Sequence, residues 1–489
     1  MNIYARFETA FRRAPDTAAL ICPDGEDWTY ARLLAEVDRA GAALAAWGVG
    51  VGDRVLVQAE KTPEAVAVYL ACVKSGAVYV PINTAYTKPE VEYFIADCQP
   101  ALFVAGGRFD ADVAVAVLDG DGSGSYWREA AAAPVLTVDR ADDDLAAIIY
   151  TSGTTGRPKG AMLTHANLIS NAEVLCAAWG WRADDVLLHA LPIFHVHGLF
   201  VALHCAFFNA TPVILQKRFD VAALVGELSR ATVLMGVPTF YTRLLDDASF
   251  DAASCGNMRL FISGSAPLTK QTFTAFEQRT GFRILERYGM SETLMNTSNP
   301  LEGERVGGTV GFALPGIAVR VTDDGGHELP RGEVGSIELR GPNVFKGYWL
   351  EPERTAEEFR TDGFFVTGDI GTMDGEGRLT IVGRAKDLVI SGGYNVYPKE
   401  VETLLDEMPE VVESAVIGVP HPDFGEAVVA VVVSEDGVDQ ARVDRFLGRR
   451  LARYKHPKRV VRVDELPRNA MGKVQKNLLK ETYADVLET

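Results

Sequence analysis

IIYTSGTTGRPKGAMLTH, residues 148–165, is the stretch on which the reading of this chain turns. Apolar IIY has the β-branched and aromatic character of a strand end. The run then changes to Thr151, Ser152, Gly153, Thr154, Thr155 and Gly156. Small hydroxylated side chains among glycines let backbone N–H groups and hydroxyls bend around one anion, and phosphate oxygens suit such a loop. Lys159 adds a mobile positive charge just beyond it. The spacing is not that of a Walker A loop, because no GxxxxGK[ST] order occurs.

The sequence on both sides has an α/β rhythm. Upstream, WTYARLLAEVDRAGAALAAWGV reads as a helix ending at Gly50, DRVLVQA as a buried strand and PEAVAVYLACVKSG as a helix closed by Gly76. AVYVPI, then PEVEYFIADCQP and ALFVAG, continue the alternation, which predicts a parallel sheet covered on both faces. Downstream, ATVLMGVP (231–238) and MRLFISGSAP (258–267) read as strands, TFYTRLLDDA as a short helix after Pro238, and TKQTFTAFEQRTG (269–281) as a helix with a glycine stop. From about residue 306 short strands with glycine turns predict a smaller antiparallel sheet. After GRAKD (383–387) the pattern becomes a compact α+β unit. It holds a helix from Pro398, strands VVESAVIGVP and EAVVAVVVS, a helix ARVDRFLGRRLARY and a final strand RVVRVDELP. We therefore expect a large α/β N-terminal domain of several subdomains, residues 1–385, and a small α+β C-terminal domain, residues 386–489.

Composition narrows the function. The 489 residues are 47% hydrophobic and 23% charged, which supports packed cores rather than a disordered chain. A net charge of −18 disfavours nucleic acid and anionic membranes as partners, yet leaves room for a small anion held by a local Arg or Lys. Cysteines at 22, 72, 98, 176, 205 and 255 form no CxxC pair, the usage of a reduced cytoplasmic chain. MNIYARFETAFRR reads as an amphipathic helix rather than a signal peptide, and apolar runs such as AVAVYLACV fall short of the roughly 20 residues that span a bilayer.

TSGTTGRPKG resembles the phosphate-binding motif of the acyl-adenylate-forming superfamily. Further motifs of that superfamily follow in order: LPIFHVHG (191–198), ERYGMSET (286–293), FFVTGDIG (364–371), GRAKDLVISGGYNVYPKEVE (383–402) and LPRNAMGKVQK (466–476). The resemblance covers essentially the whole chain and implies that superfamily's two-domain fold, with ATP, Mg2+ and coenzyme A as reactants. It implies that Thr151 through Gly156, with Lys159 and Ser291, surround the phosphates. It places Tyr288 against adenine, Asp369 on the ribose hydroxyls, Arg384 near ribose or phosphate, and Glu292 on Mg2+. Lys473 resembles the lysine at the carboxylate–α-phosphate junction, where a fixed cation stabilises the charge that accumulates in the transition state. His195 is expected as an aromatic gate beside the phosphates. Lys386 matches the hinge about which the small domain rotates, and Gly392, Gly393 and Tyr394 match the face that meets the pantetheine thiol.

The expected acyl pocket draws on HVHG, GVPTFYTRLL, SGSAP and YGMSETLMN, hence on Val196, His197, Arg243, Ser263, Gly264, Met290 and Met295. Arg243 lies about one turn into a helix whose start borders the pocket. A buried guanidinium needs an anionic partner, and a second substrate carboxylate would supply one. Spacing alone equally allows a surface Arg243 paired with Asp246 at i,i+3. ATVLMGVPTFYTRLL, ALPIFHVHGLF and RLFISGSAP closely resemble malonyl-CoA synthetases, which implies that Arg243 holds the distal carboxylate of malonate and that Val196 and Met295 cap its C2. Relatives often carry Thr where this chain has Val196. The expected reaction is ATP-dependent ligation of malonate or methylmalonate to CoA, with a short-chain monocarboxylate ligase and a module loading a carrier-protein thiol as alternatives. Lysines including Lys473 are candidates for acetylation, which would make lysine acetylation and deacylation enzymes partners.

Overall fold

A computed structural model describes residues 1–23, 25–127, 135–151, 158–391, 394–434, 437–469 and 472–487. The expected βα alternation produces two sheets. In the first, strands Val115–Val117, Leu102–Ala105, Arg54–Gln58, Val78–Pro81 and Leu145–Thr151 lie parallel in that order. Lys159–Thr164 closes the edge as the antiparallel arm of a hairpin whose register sets Thr151 opposite Lys159. In the second, Leu285–Met290, Leu260–Ser263, Val233–Gly236, Leu187–His189, Val213–Leu215 and Ala18–Ile21 are parallel neighbours. Ala18–Ile21 thus leaves the run of residues 1–140 and pairs with a strand nearly two hundred residues on.

Local chemistry explains the helices between these strands. Thr62 caps Pro63–Lys74 by accepting from the Ala65 N–H at 3.1 Å, and Pro63 sits where its missing N–H is not needed. Residues 65–74 are all buried, so this helix is a filling between layers rather than an amphipathic cover. After the hairpin, Thr164 and Asn167 form a reciprocal capping box at 3.1 and 2.9 Å that starts the helix His165–Ala178. Two expected helices are shorter than their sequences suggested. Trp28–Thr29 is a strand and Thr29 an N-cap, so the first of them spans Tyr30–Ala46. ARVDRFLGRRLARY is helical only over Gln440–Leu447, because Gly448 ends the turn and the Arg450 guanidinium folds back to the Phe446 carbonyl at 2.8 Å.

The glycine-rich region forms a four-stranded antiparallel sheet, Ala318–Thr322, Val334–Arg340, Phe365–Met373 and Leu379–Arg384. The small domain is built on Gly425–Ser434, paired antiparallel with Val411–His421 and parallel with Arg459–Val463. Its alternate side chains enter separate cores, Val428, Ala430 and Val432 on one face and Val429 and Val431 on the other. No helix among the described residues is long and apolar enough to cross a membrane. Within each of the two sheets the parallel strands end on one side, where open α/β sheets place their ligands.

Candidate active site

Ser152, Gly153, Thr154, Thr155 and Gly156 lie outside the described residues, but both hairpin arms that carry them are fixed. Lys159 is buried. Its ammonium lies 3.6 Å from Glu358 and 5.0 Å from the centre of the Tyr348 ring. Thr151 Oγ1 donates to Glu292 at 3.4 Å, and the Tyr348 hydroxyl lies 3.2 Å from the same Glu292 oxygen and 2.8 Å from Glu358. Glu292 comes from a three-residue turn, Ser291–Thr293, that joins strands Leu285–Met290 and Leu294–Ser298. Leu294 closes this turn at φ 51°, the left-handed residue that a three-residue hairpin requires. Burial pushes the Glu292 carboxyl above the usual range, opposed by Arg384 nearby. No Lys or Arg ion-pairs with it among the described residues. A buried carboxylate short of positive charge beside a phosphate loop fits a Mg2+ held by one protein ligand and phosphate oxygens.

A second cluster is made by the antiparallel sheet. Register places Asp369 opposite Arg384, whose Nε lies 2.6 Å from the buried Asp369 carboxylate. The Tyr288 hydroxyl donates to the other carboxylate oxygen at 2.5 Å. Three residues from three distant motifs thus share one contact network, and Asp369 retains lone pairs for a further donor.

Lys473 reaches this region from the small domain. Its hairpin is tied by Asn469, whose Oδ1 accepts from the Lys473 N–H at 3.0 Å, and turns at Gly472 with φ 72°. A β-carbon on Gly472 would lie 3.1 Å from Thr239 Oγ1 of the large domain, so glycine permits the close approach. The Lys473 side chain stays accessible within the cleft. The surrounding walls, with Arg384 and Arg287, push its ammonium down to about 8, against the pull of Asp369 and Glu292. His195 is half-buried and its ring is pushed down to about 3 by desolvation, then by Lys473 and Arg287. Its Nδ1 accepts the His197 N–H at 3.2 Å, which leaves Nε2 as the protonated nitrogen of the neutral ring.

The structure does not give Arg243 the burial that was expected for it. That residue is exposed, near the end of helix Pro238–Asp246, and lines a cleft of about 240 Å3 shared with Arg468 and Asn469 of the small domain. The burial from which its role was argued is absent there. Arg287 has it instead. It is only 3% exposed, and burial lowers its guanidinium to about 9. Arg287 Nε and Nη2, Ser263 Oγ and His197 Nε2 are all buried without a hydrogen-bond partner among the described residues. A β-carbon on Gly264 would fall 2.4 Å from the Arg287 guanidinium, so that glycine makes room for the charge. Val196 and Met295 are buried, and Met290 is half-buried. Asn171 fixes the Met295 backbone from both sides, at 2.9 and 3.3 Å.

Arg287 is the residue that sequence reasoning missed. Beside Glu286 it looks paired, yet alternation along Leu285–Met290 sends the two side chains to opposite faces. Ser291 is half-buried in its turn, and Lys386 is exposed in a single 3-10 turn, Ala385–Asp387. Tyr394 is 60% exposed and packs on Tyr454 at 4.8 Å; Gly392 and Gly393 lie outside the described residues.

Comparison with known proteins identifies the family. The profile of the AMP-binding enzyme family matches residues 7–349, and that of the AMP-binding enzyme C-terminal domain matches residues 400–473. Indoleacetate–CoA ligase of Aromatoleum aromaticum is 35% identical over 497 residues, 96% of each chain. Malonate–CoA ligase of Arabidopsis thaliana is 33% identical over 550 residues, 97% of this chain and 88% of that one. ATP-bound MatB from Rhodopseudomonas palustris superimposes with a TM-score of 0.95 at 52% identity over 99% of both chains, against 0.84 for the apo form. The domain arrangement here therefore matches the ATP-bound form more closely. By its motifs, its two domains and these relatives, the chain belongs to the AMP-binding enzyme family, as one of its adenylate-forming acyl-CoA ligases.

Proposed function

We propose that the acid activated is malonate, with methylmalonate as its nearest branched alternative, and that the product is malonyl-CoA, formed with AMP and pyrophosphate. The carrying observation is the buried Arg287 guanidinium with unpartnered Nε and Nη2, beside the unpartnered Ser263 hydroxyl and His197 ring nitrogen. An unpaired buried cation is unstable by several kcal/mol, and a substrate carboxylate relieves it with charge-assisted hydrogen bonds. His195 feels both Lys473 and Arg287, so one short dicarboxylate has a cation for each end. An aromatic or simple aliphatic acid brings nothing to pair with Arg287.

In this reading Arg287 holds the distal carboxylate while the proximal one, steered by Lys473, attacks the α-phosphorus of ATP and expels pyrophosphate. Lys473 stabilises the charge on the oxygens in flight. Mg2+, held by Glu292, would neutralise phosphate charge. Asp369, Arg384 and Tyr288 orient the nucleoside, and Thr151 and Lys159 fix the phosphate hairpin. The CoA thiolate then attacks the mixed anhydride and AMP leaves, with Gly392, Gly393 and Tyr394 brought to the site by rotation at Lys386. Val196 and Met295 border C2. We place the reaction in the cytoplasm, in keeping with cysteines that are free thiols in the structure.

The test is CoA-dependent AMP formation with acetate, propionate, malonate, methylmalonate, succinate, octanoate and indoleacetate at matched concentration. Malonate should exceed both acetate and succinate. Arg287→Met should lower malonate kcat/KM by about 2–5 kcal/mol of transition-state stabilisation while leaving the ATP KM within about twofold. Because it removes an unpaired buried charge, the same variant should melt at or above the wild-type temperature. A preference for a monocarboxylate, or normal malonate use by Arg287→Met, would overturn the assignment. AMP release with a phosphopantetheinylated carrier protein but not with CoA would favour a carrier-loading module.

A further inference from the structure

Ser265 stands out in the backbone. It is one of few non-glycine residues with positive φ, at 71°, a region that a β-carbon makes unfavourable. It follows the strand Leu260–Ser263 and the Gly264 that makes room for Arg287. In that conformation its Oγ lies 3.2 Å from Nδ1 of His197. Strain held at a substrate pocket is a pointer to function when it fixes a side chain that would otherwise be free to choose.

His197 has such a choice. The ring is fully buried, and desolvation with the neighbouring Arg287 keeps it neutral. A neutral imidazole carries its proton on one nitrogen only. If Nδ1 carries it, the ring donates to Ser265 and turns a bare Nε2 lone pair to its other side. If the Ser265 hydroxyl donates to Nδ1, Nε2 carries the proton and is a donor. Nε2 has no partner among the described residues, and neither do Arg287 Nε and Nη2 or Ser263 Oγ. A bare Nε2 would repel an anion drawn in by Arg287, whereas Nε2–H would bind it.

We propose that Ser265 is a positioning residue that holds His197 in its Nε2–H form, so that His197 and Arg287 donate together to the distal carboxylate of the substrate. This rests on the dicarboxylate reading above. It assigns to the second serine of SGSAP a part in choosing dicarboxylates over monocarboxylates. His195 gains the same tautomer by a different route, from the backbone N–H of His197. The two rings are thus set from two segments, His195 by the main chain of its own motif and His197 by the side chain of Ser265.

Two variants separate this role from loop architecture. Ser265→Ala removes the hydroxyl and keeps the strained backbone. Ser265→Gly removes the hydroxyl and relieves the strain, so it should melt no lower than Ser265→Ala. Both should raise the malonate KM about fivefold to tenfold, with kcat, the ATP KM and any residual acetate activity within about twofold of wild type. A spectroscopic readout goes with the kinetics. In 15N-histidine-labelled enzyme, His197, assigned by loss of its signal in His197→Gln, should show a protonated Nε2, and both Ser265 variants should shift it toward a tautomer mixture. Malonate KM values within about twofold of wild type in both variants, or a wild-type His197 protonated on Nδ1, would overturn the proposal. If wild-type enzyme prefers a monocarboxylate, the dicarboxylate reading fails. The nitrogen signals still decide whether Ser265 sets the tautomer, which separates the two failures.

Discussion

Glu286 and Arg287 are adjacent and both buried, yet each answers to a different surrounding. Arg287 faces the acyl pocket. Glu286 faces the other way, accepting the Leu268 N–H at 3.2 Å while its second oxygen has no partner among the described residues. Burial pushes its carboxyl up to about 7, opposed by the Leu268 and Gly308 N–H groups and by Lys399 of the small domain. With a folded-state value above the unfolded one, the native state binds the extra proton between about pH 4.5 and 7, so stability declines as pH rises through that window. Glu286→Gln, which keeps the acceptor oxygen without the charge, should therefore raise the melting temperature more at pH 8 than at pH 5. Equal shifts at both pH values would refute the buried-charge account. Without the fold, the sequence ERYGM offers no reason to treat its acid and its base as separate.

At the scale of elements, the strand ends opposite the catalytic region are locked by one ion pair. Asp185 is fully buried, with Arg259 Nε at 2.6 Å and the Thr232 hydroxyl at 2.9 Å. Arg259 also donates to the carbonyls of Trp179 and Gly180 at 3.3 and 3.2 Å. This cluster ties the entries of strands Leu187–His189, Val233–Gly236 and Leu260–Ser263, whose far ends carry the HVHG, GVP and SGS segments. Removing one partner strands the other's charge, so Arg259→Ala should cost about 3–5 kcal/mol of unfolding free energy in urea titration. A loss below about 1 kcal/mol would show that water reaches Asp185. Part of this was legible: the 3.6-residue and 2-residue periodicities located strands Val233–Gly236 and Leu260–Ser263 and the helices after them, but not the helix His165–Ala178 or strands Leu187–His189 and Val213–Leu215. Periodicity also did not show the π-helix His197–Leu203, which begins inside the HVHG motif and has His197 in its first turn.

For the whole molecule, the decisive contact is between domains. Gly472 packs against Thr239 and Val237, and this closeness lets Lys473 lie in the field of Asp369, Glu292, Arg384 and Arg287. The two half-reactions of the family imply that the small domain leaves this arrangement before the thiol attacks. Gly472→Val would introduce a branched side chain where even a single β-carbon is 3.1 Å from Thr239. It should slow adenylate formation at least tenfold, measured by malonate-dependent ATP–pyrophosphate exchange. In the rotation at Lys386 proposed above the hairpin leaves Thr239, so thioester formation from supplied malonyl-adenylate should stay within about threefold of wild type. Equal losses in both half-reactions would mean that the substitution damages the small domain itself.

Sequence by itself determined the α/β architecture, the two-domain division and the family. Those depend on local order: strand and helix periods, capping residues, glycine turns and motifs whose chemistry works within a few neighbouring residues. Asp369, Glu292 and Lys473 could be named from such motifs. The tertiary structure decided which cation sits buried and unpaired. Arg243 lies in GVPTFYTRLL and Arg287 at the head of ERYGMSET, and only the packing around them makes one an exposed group on a cleft and the other a desolvated charge beside Gly264. Desolvation is set by every atom around a side chain, most of them far away in sequence, and no spacing along the chain encodes it directly.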